Sequence, residues 1–140
     1  MGYRSRIKSC IYSEDATLFD AFIASQKLVG CQVFNPSSDD KNSGFAESLE
    51  YIDKQYTYAL DNTTQIIKIL DLTGDDWKWY DDYADVKSWH KLLDLAEQAG
   101  LNWEFCRVGE EDGDVDYQSG GDNVENFLST YTSINCDYGD

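Results

Sequence analysis

The sequence predicts an α+β domain, a mostly antiparallel sheet with helices packed on one face. Three observations lead there. Apolar residues recur at helical spacing in separate stretches, β-branched and aromatic runs are joined by connections of hairpin length, and helices and strands do not alternate as a doubly wound fold requires. A chain of 140 residues has the size of one domain with one core. No internal repeat or linker divides residues 1–140.

Arg4 to Tyr12 carries Ile7, Ile11 and Tyr12 among polar residues and reads as an opening strand. Ser13, Glu14 and Asp15 then offer helix caps. Leu18, Phe19, Phe22, Ile23, Gln26 and Val29 follow at three- and four-residue steps until Gly30, which suits a helix stop. Cys31 to Phe34 is a short strand or packed loop, and Pro36 to Asp40 is a turn-rich break. A second helical pattern begins at Asn42 and Ser43, with Phe45, Leu49, Ile52 and Tyr56 on one face. Tyr56 to Leu60 and Gln65 to Leu72 read as strands joined by Asp61 to Thr64, and Thr73 to Asp76 as a turn. Trp77 to Tyr80 then forms a short strand or anchored loop. Asp85 can cap a helix whose stripe is Val86, Trp89, Leu92, Leu93 and Ala96, with Gly100 just past its end. Trp103 to Val108 alternates as a strand, Gly109 to Gly121 reads as a polar loop, Asp122 and Glu125 match a capping box before a short helix, and Thr130 to Cys136 closes the sheet.

Eleven Lys and Arg against 27 Asp and Glu give a net charge of −16. Such a chain repels nucleic acid and anionic lipid, so direct binding to either is excluded and basic or neutral partners are expected. A hydrophobic content of 41% still supplies a core, which sets the chain apart from disordered acidic segments. No apolar run reaches the length of a membrane span and no apolar stretch follows the first basic residues, so a protein that stays in the cytoplasm is expected. Arg6 stands where a myristoylation signal places Ser or Thr.

Chemistry-bearing patterns are few. Cys10, Cys31, Cys106 and Cys136 include no close pair, and His90 is the one histidine, so neither a zinc site nor a disulfide framework is expected and four reduced thiols are. His90 sits mid-helix beside Trp89 with no partner that spacing supplies for base catalysis, and the common hydrolase and nucleotide-binding signatures are missing. The expectation is a protein that is not an enzyme and uses no cofactor. Asp112, Asp114 and Asp116 reproduce the opening of a calcium loop, but Tyr117 replaces the turn glycine and Asn123 the bidentate glutamate. No metal is expected.

The acidity is regional. Residues 1–35 hold four bases and three acids, so residues 36–140 carry −17. Asp75, Asp76, Asp81 and Asp82 crowd around Trp77, Trp79 and Tyr80, and Asp112, Asp114 and Asp116 form a second block. Same-side carboxylates on an extended segment repeat at about 6.6 Å, close to two phosphate steps of about 3.4 Å along one DNA strand. These ten residues are the candidate surface for a partner, with the tryptophans and Tyr80 as aromatic anchors if exposed and as core if not.

Met1-Gly2-Tyr3-Arg4-Ser5, Trp77-Lys78-Trp79-Tyr80 with Asp85-Val86, and Phe105-Cys106-Arg107-Val108-Gly109-Glu110 together resemble a group of small acidic proteins encoded by tailed bacteriophages. The resemblance spans about residues 1 to 12 and 76 to 116. It implies a phage accessory protein made in a bacterial cytoplasm and brings no catalytic residue with it. Joined to the charge, it points to an inhibitor of a host nucleic-acid-acting or defence protein, of the anti-restriction or anti-CRISPR type, that imitates DNA against a basic surface. The alternatives are a small-molecule-binding protein or enzyme of phage accessory metabolism, and a virion or assembly component.

Overall fold

The computed structural model describes residues 3–35, 48–57, 60–111 and 113–121. Seven elements follow in the order β1 (Ser5–Ser13), α1 (Ala16–Leu28), β2 (Leu49–Thr57), β3 (Thr64–Trp77), α2 (Ala84–Gln98), β4 (Asn102–Gly109) and β5 (Val115–Gly120). The strands form one antiparallel sheet in the order β2-β3-β1-β4-β5, with β1 at its centre. The architecture is α+β, as the sequence predicts.

Both helices cover the same face. Ile7 and Ile11 of β1, Leu70 and Leu72 of β3, and Trp103 and Phe105 of β4 join Phe19, Phe22 and Ile23 of α1 and the α2 stripe in one cluster. All five stripe residues, Val86, Trp89, Leu92, Leu93 and Ala96, are buried, because they share one side of a 3.6-residue period. The α1 stripe is narrower than its spacing suggests, since Val29 is exposed. Asp15 caps α1 by accepting the Leu18 N–H at 3.0 Å. Gly100, at φ +95°, ends α2 in a left-handed turn in which Leu101 N–H reaches the Ala96 carbonyl at 2.9 Å. Asp85 does not cap α2. That helix starts after Tyr83, and buried Asp85 lies in its first turn with Oδ1 accepting the Val86 N–H at 2.9 Å. A carboxylate there still meets an unpaired N–H at the positive end of the helix dipole.

Three further expectations are corrected. From Leu49 onward the supposed second helix is strand β2, because the β3 ladder pairs every residue from Leu49↔Leu72 to Thr57↔Thr64. Thr73 to Asp76 is not a turn but the end of β3. Two steps on β1 (Ser5 to Ile7) oppose three on β3 (Trp77 to Gly74), a bulge that leaves Asp76 at φ +62°. Part of the supposed loop between Gly109 and Gly121 is strand β5. The break at Pro36 to Asp40, the start of the supposed helix at Asn42, and the elements expected at Asp122 to Leu128 and Thr130 to Cys136 lie outside the described residues.

The far face of the sheet also carries buried residues. Cys10, Tyr12, Ile67, Ile69, Cys106 and Val108 form a second cluster there, with Glu104 and Asp71 also buried. Cys10 and Cys31 are free thiols, but Cys106 is disulfide-bonded, so the four reduced thiols expected do not hold at that position. Its partner lies outside the described residues. Among the described residues, no helix is long and apolar enough to cross a membrane.

Candidate functional site

The start of β1 joins the two acidic blocks. Ser5 pairs with Trp77 of β3 on one side and with Gly109 of β4 on the other, so the chain around Asp75 and Asp76 and the chain after Gly109 flank it at one end of the sheet. Tyr3 lies at the crossing. Its N–H donates to the Tyr80 hydroxyl at 2.7 Å, and its own hydroxyl donates to Asp114 at 2.5 Å while accepting the Glu111 N–H at 3.0 Å. The Arg4 N–H donates to the Glu110 carboxylate, and the Arg4 guanidinium reaches the Asp76 carbonyl at 3.0 Å. Gly109 has no room for a side chain, since a Cβ would collide with the Tyr3 hydroxyl and the Asp114 carboxylate. The start of β1, the chain from Asp76 to Tyr80 and the chain from Gly109 to Asp114 therefore meet in space, in a latch between β1, β3 and β4.

Charges at this end are mixed. Asp114 takes a bidentate bond from Arg107, with 2.8 and 3.3 Å contacts, and this guanidinium, aided by the Tyr3 hydroxyl, holds the carboxyl below the usual carboxylate range. The same carboxylate pushes the Tyr3 phenol and the Arg107 guanidinium up. Arg6 pairs with Asp75 at 3.2 Å across an exposed surface, a contact of little stabilising weight. Asp116 lies on β5 opposite Arg107 in the strand register. Asp81 and Asp82 are exposed and make no salt bridge among the described residues. Of the ten candidate residues, Asp75, Asp76, Asp81, Asp82, Asp114 and Asp116 thus belong to the sheet end or its approach to α2, while Asp112 lies outside the described residues.

The aromatic candidates divide. Trp77 and Trp79 are each 8% exposed and stack at a centroid distance of 6.2 Å, with Trp79 against Phe105 at 5.8 Å. They belong to the core and cannot act as surface anchors, because the β3 bulge and the turn into α2 aim them under the helices. Tyr80 is half-buried, its ring against Tyr83 and its hydroxyl spent on Tyr3. His90 also faces this wall. Its Nε2 accepts the Trp79 indole N–H at 3.1 Å and its ring meets Phe105 edge-on at 4.8 Å, so the neutral imidazole carries its proton on Nδ1. Burial pulls its pKa down against the opposing pull of Asp81, Asp116 and Asp94.

The calcium-loop pattern dissolves in three dimensions: Asp114 has its oxygens turned to Arg107 and Tyr3, and Asp116 is in a strand. Sequence reasoning missed Tyr3, Arg4, Arg107 and Glu110 as members of this surface. No local pattern marks them, because they come together only across the sheet. No family model, curated protein or solved structure matches the chain.

Proposed function

We propose that this chain is a non-catalytic, phage-encoded acidic binding protein of the host bacterial cytoplasm. It inhibits a host nucleic-acid-acting or defence protein by occupying the basic surface that otherwise takes DNA phosphates. One observation supports this above others: β1 gathers two acidic blocks, distant in sequence, onto a single end of the sheet. Like charges gathered on one surface cost folding stability, a cost that a cationic partner offsets. The interleaved Arg4, Arg6 and Arg107 narrow the reading. Asp114 is held by Arg107, Asp75 is paired with Arg6 and Glu110 accepts the Arg4 N–H, so the carboxylates left to steer a partner are Asp76, Asp81, Asp82 and Glu111. In a reducing cytoplasm Cys106 would be held as the thiol.

The test is a pull-down from bacterial lysate on the immobilised protein at low and high salt, with duplex DNA as competitor. A retained nuclease, polymerase or defence protein that salt and duplex DNA both release supports the reading. Retention that neither disturbs moves the function to an apolar interface, and a bound metabolite in purified protein moves it to the small-molecule alternative.

A further inference from the structure

We propose that residues 122–140 cover the far face of the sheet and are clasped there by a disulfide between Cys106 and Cys136, so that reduction uncovers this face. The inference is separate from the partner-binding surface, which lies at one end of the sheet.

The far face is dry, and among the described residues no helix or strand is packed over it, since both helices lie on the other side. Cys10, Tyr12, Ile67, Ile69, Cys106 and Val108 are nevertheless buried, and the charged side chain of Glu104 is 0% exposed. Val115 and Tyr117 of β5 stay partly open. A cover therefore sits over β3, β1 and β4.

The cysteines name it. The chain holds four. Cys10 and Cys31 are free and Cys106 is bonded, which leaves Cys136 as the partner. Gly120 pairs with Trp103, and Cys106 follows three residues on along β4, a distance of about 10 Å. Sixteen residues lead from Gly120 to Cys136, about 50 Å if extended, so the segment has slack to cross the sheet on its way. It brings Val124, Phe127, Leu128, Tyr131 and Ile134. Residues 36–47, the other long stretch outside the described residues, offer one large apolar side chain, Phe45. Charge makes the clasp matter. Residues 122–140 hold four acids and no base in a chain of net charge −16, so repulsion opposes their docking and the covalent loop offsets it. A dithiol releases the clasp: the Cys106–Cys136 bond breaks, each sulfur leaves as a thiol with one of the reductant's protons, and the reductant is oxidised to its own disulfide.

The experiment uses the full chain, oxidised with glutathione disulfide or reduced with dithiothreitol, each reagent then removed, with circular dichroism as a folding control. Trypsin cuts after Arg107 and so separates Cys106 from Cys136; the oxidised digest should hold these two peptides joined, and the reduced digest should not. Iodoacetamide then reports on the face itself through Cys10. Burial pushes that thiol well up, so uncovering it raises both access and thiolate fraction. Reduction should speed Cys10 alkylation in the folded chain by about tenfold or more, while Cys31, which packs with the helix layer, keeps its rate. Cys136→Ser should react like the reduced chain under both conditions. Phe127→Asp should speed Cys10 alkylation in the oxidised chain and Phe45→Asp should not. An oxidised digest with Cys106 and Cys136 unlinked, a Cys10 rate equal in oxidised and reduced chains, or a response to Phe45→Asp in place of Phe127→Asp overturns the proposal.

Discussion

Ser9→Ala is a sharp test of how the helix layer is fixed to the sheet. Ser9 is fully buried at the centre of β1, and its Oγ accepts the Trp89 indole N–H at 3.0 Å while donating to the Glu104 carbonyl at 2.7 Å. Trp89, on α2, is also fully buried. Removing the hydroxyl strands the indole N–H in a dry core, which costs about 1 to 3 kcal/mol. The volume lost is a single oxygen, so little of the cost comes from a cavity. Each kcal/mol shifts the midpoint by about 2 to 4 °C in a domain somewhat larger than this one. Urea unfolding followed by far-ultraviolet circular dichroism reads the change. In a Trp89→Phe background the donor is gone, and Ser9→Ala should cost about 1 kcal/mol less than in wild type. Equal costs in both backgrounds would refute the hydrogen bond as the element that seats α2.

Other perturbations follow from the same geometry. Lys8→Met should destabilise by about 3 to 5 kcal/mol, because Asp71, 5% exposed, has Lys8 Nζ at 2.9 Å as its counter-charge and would be left as an unpaired buried carboxylate; chemical denaturation measures it. Lowering the pH from 7 to 5 should reduce the melting temperature in part through His90. Folding holds its pKa below the ordinary value, so the unfolded chain takes up the proton first and stability falls as pH drops below about 6.5. A His90→Gln variant should show a shallower slope over that range, and an unchanged slope would show that His90 contributes nothing to it. Gly109→Ala should cost about 1 to 3 kcal/mol by forcing Tyr3 and Asp114 apart, with loss of protection of the Tyr3 amide in hydrogen exchange as the specific readout.

What could be read from sequence follows from where each element sits. α2 has one face fully buried, so its stripe from Val86 to Ala96 is clean, and Gly30 and Gly100 mark both helix ends. β1 and β4 lie inside the sheet and carry the β-branched and aromatic residues that mark strands. β2 and β5 are the outermost strands among the described residues, and there the signal fails. Half-exposed β2 mixes Tyr51, Asp53 and Gln55 on one face with Glu50, Ile52 and Lys54 on the other, so Leu49 and Ile52 fall by chance at helical spacing. β5, mostly exposed and polar, reads as loop. The candidate surface was half legible. Its carboxylates crowd together in the sequence, but the cations among them come from β1 and β4, and a bond such as Tyr3 to Asp114 joins residues 111 apart. The burial of Trp77 and Trp79 depends on a bulge that no local pattern announces.

In the proposed function, exposed carboxylates at the shared end of β1, β3 and β4 recognise a basic partner. The most direct measurement is the association rate of the host protein recovered in the pull-down with wild type and with Asp76→Asn/Asp81→Asn/Asp82→Asn. These positions spare the Arg6 and Arg107 pairs, and Asn tolerates the left-handed backbone at residue 76. Slower association, a flatter salt dependence and a nearly unchanged dissociation rate are expected, as for charges that steer encounter. Rates and salt slope equal to wild type, with the variant folded, would contradict it.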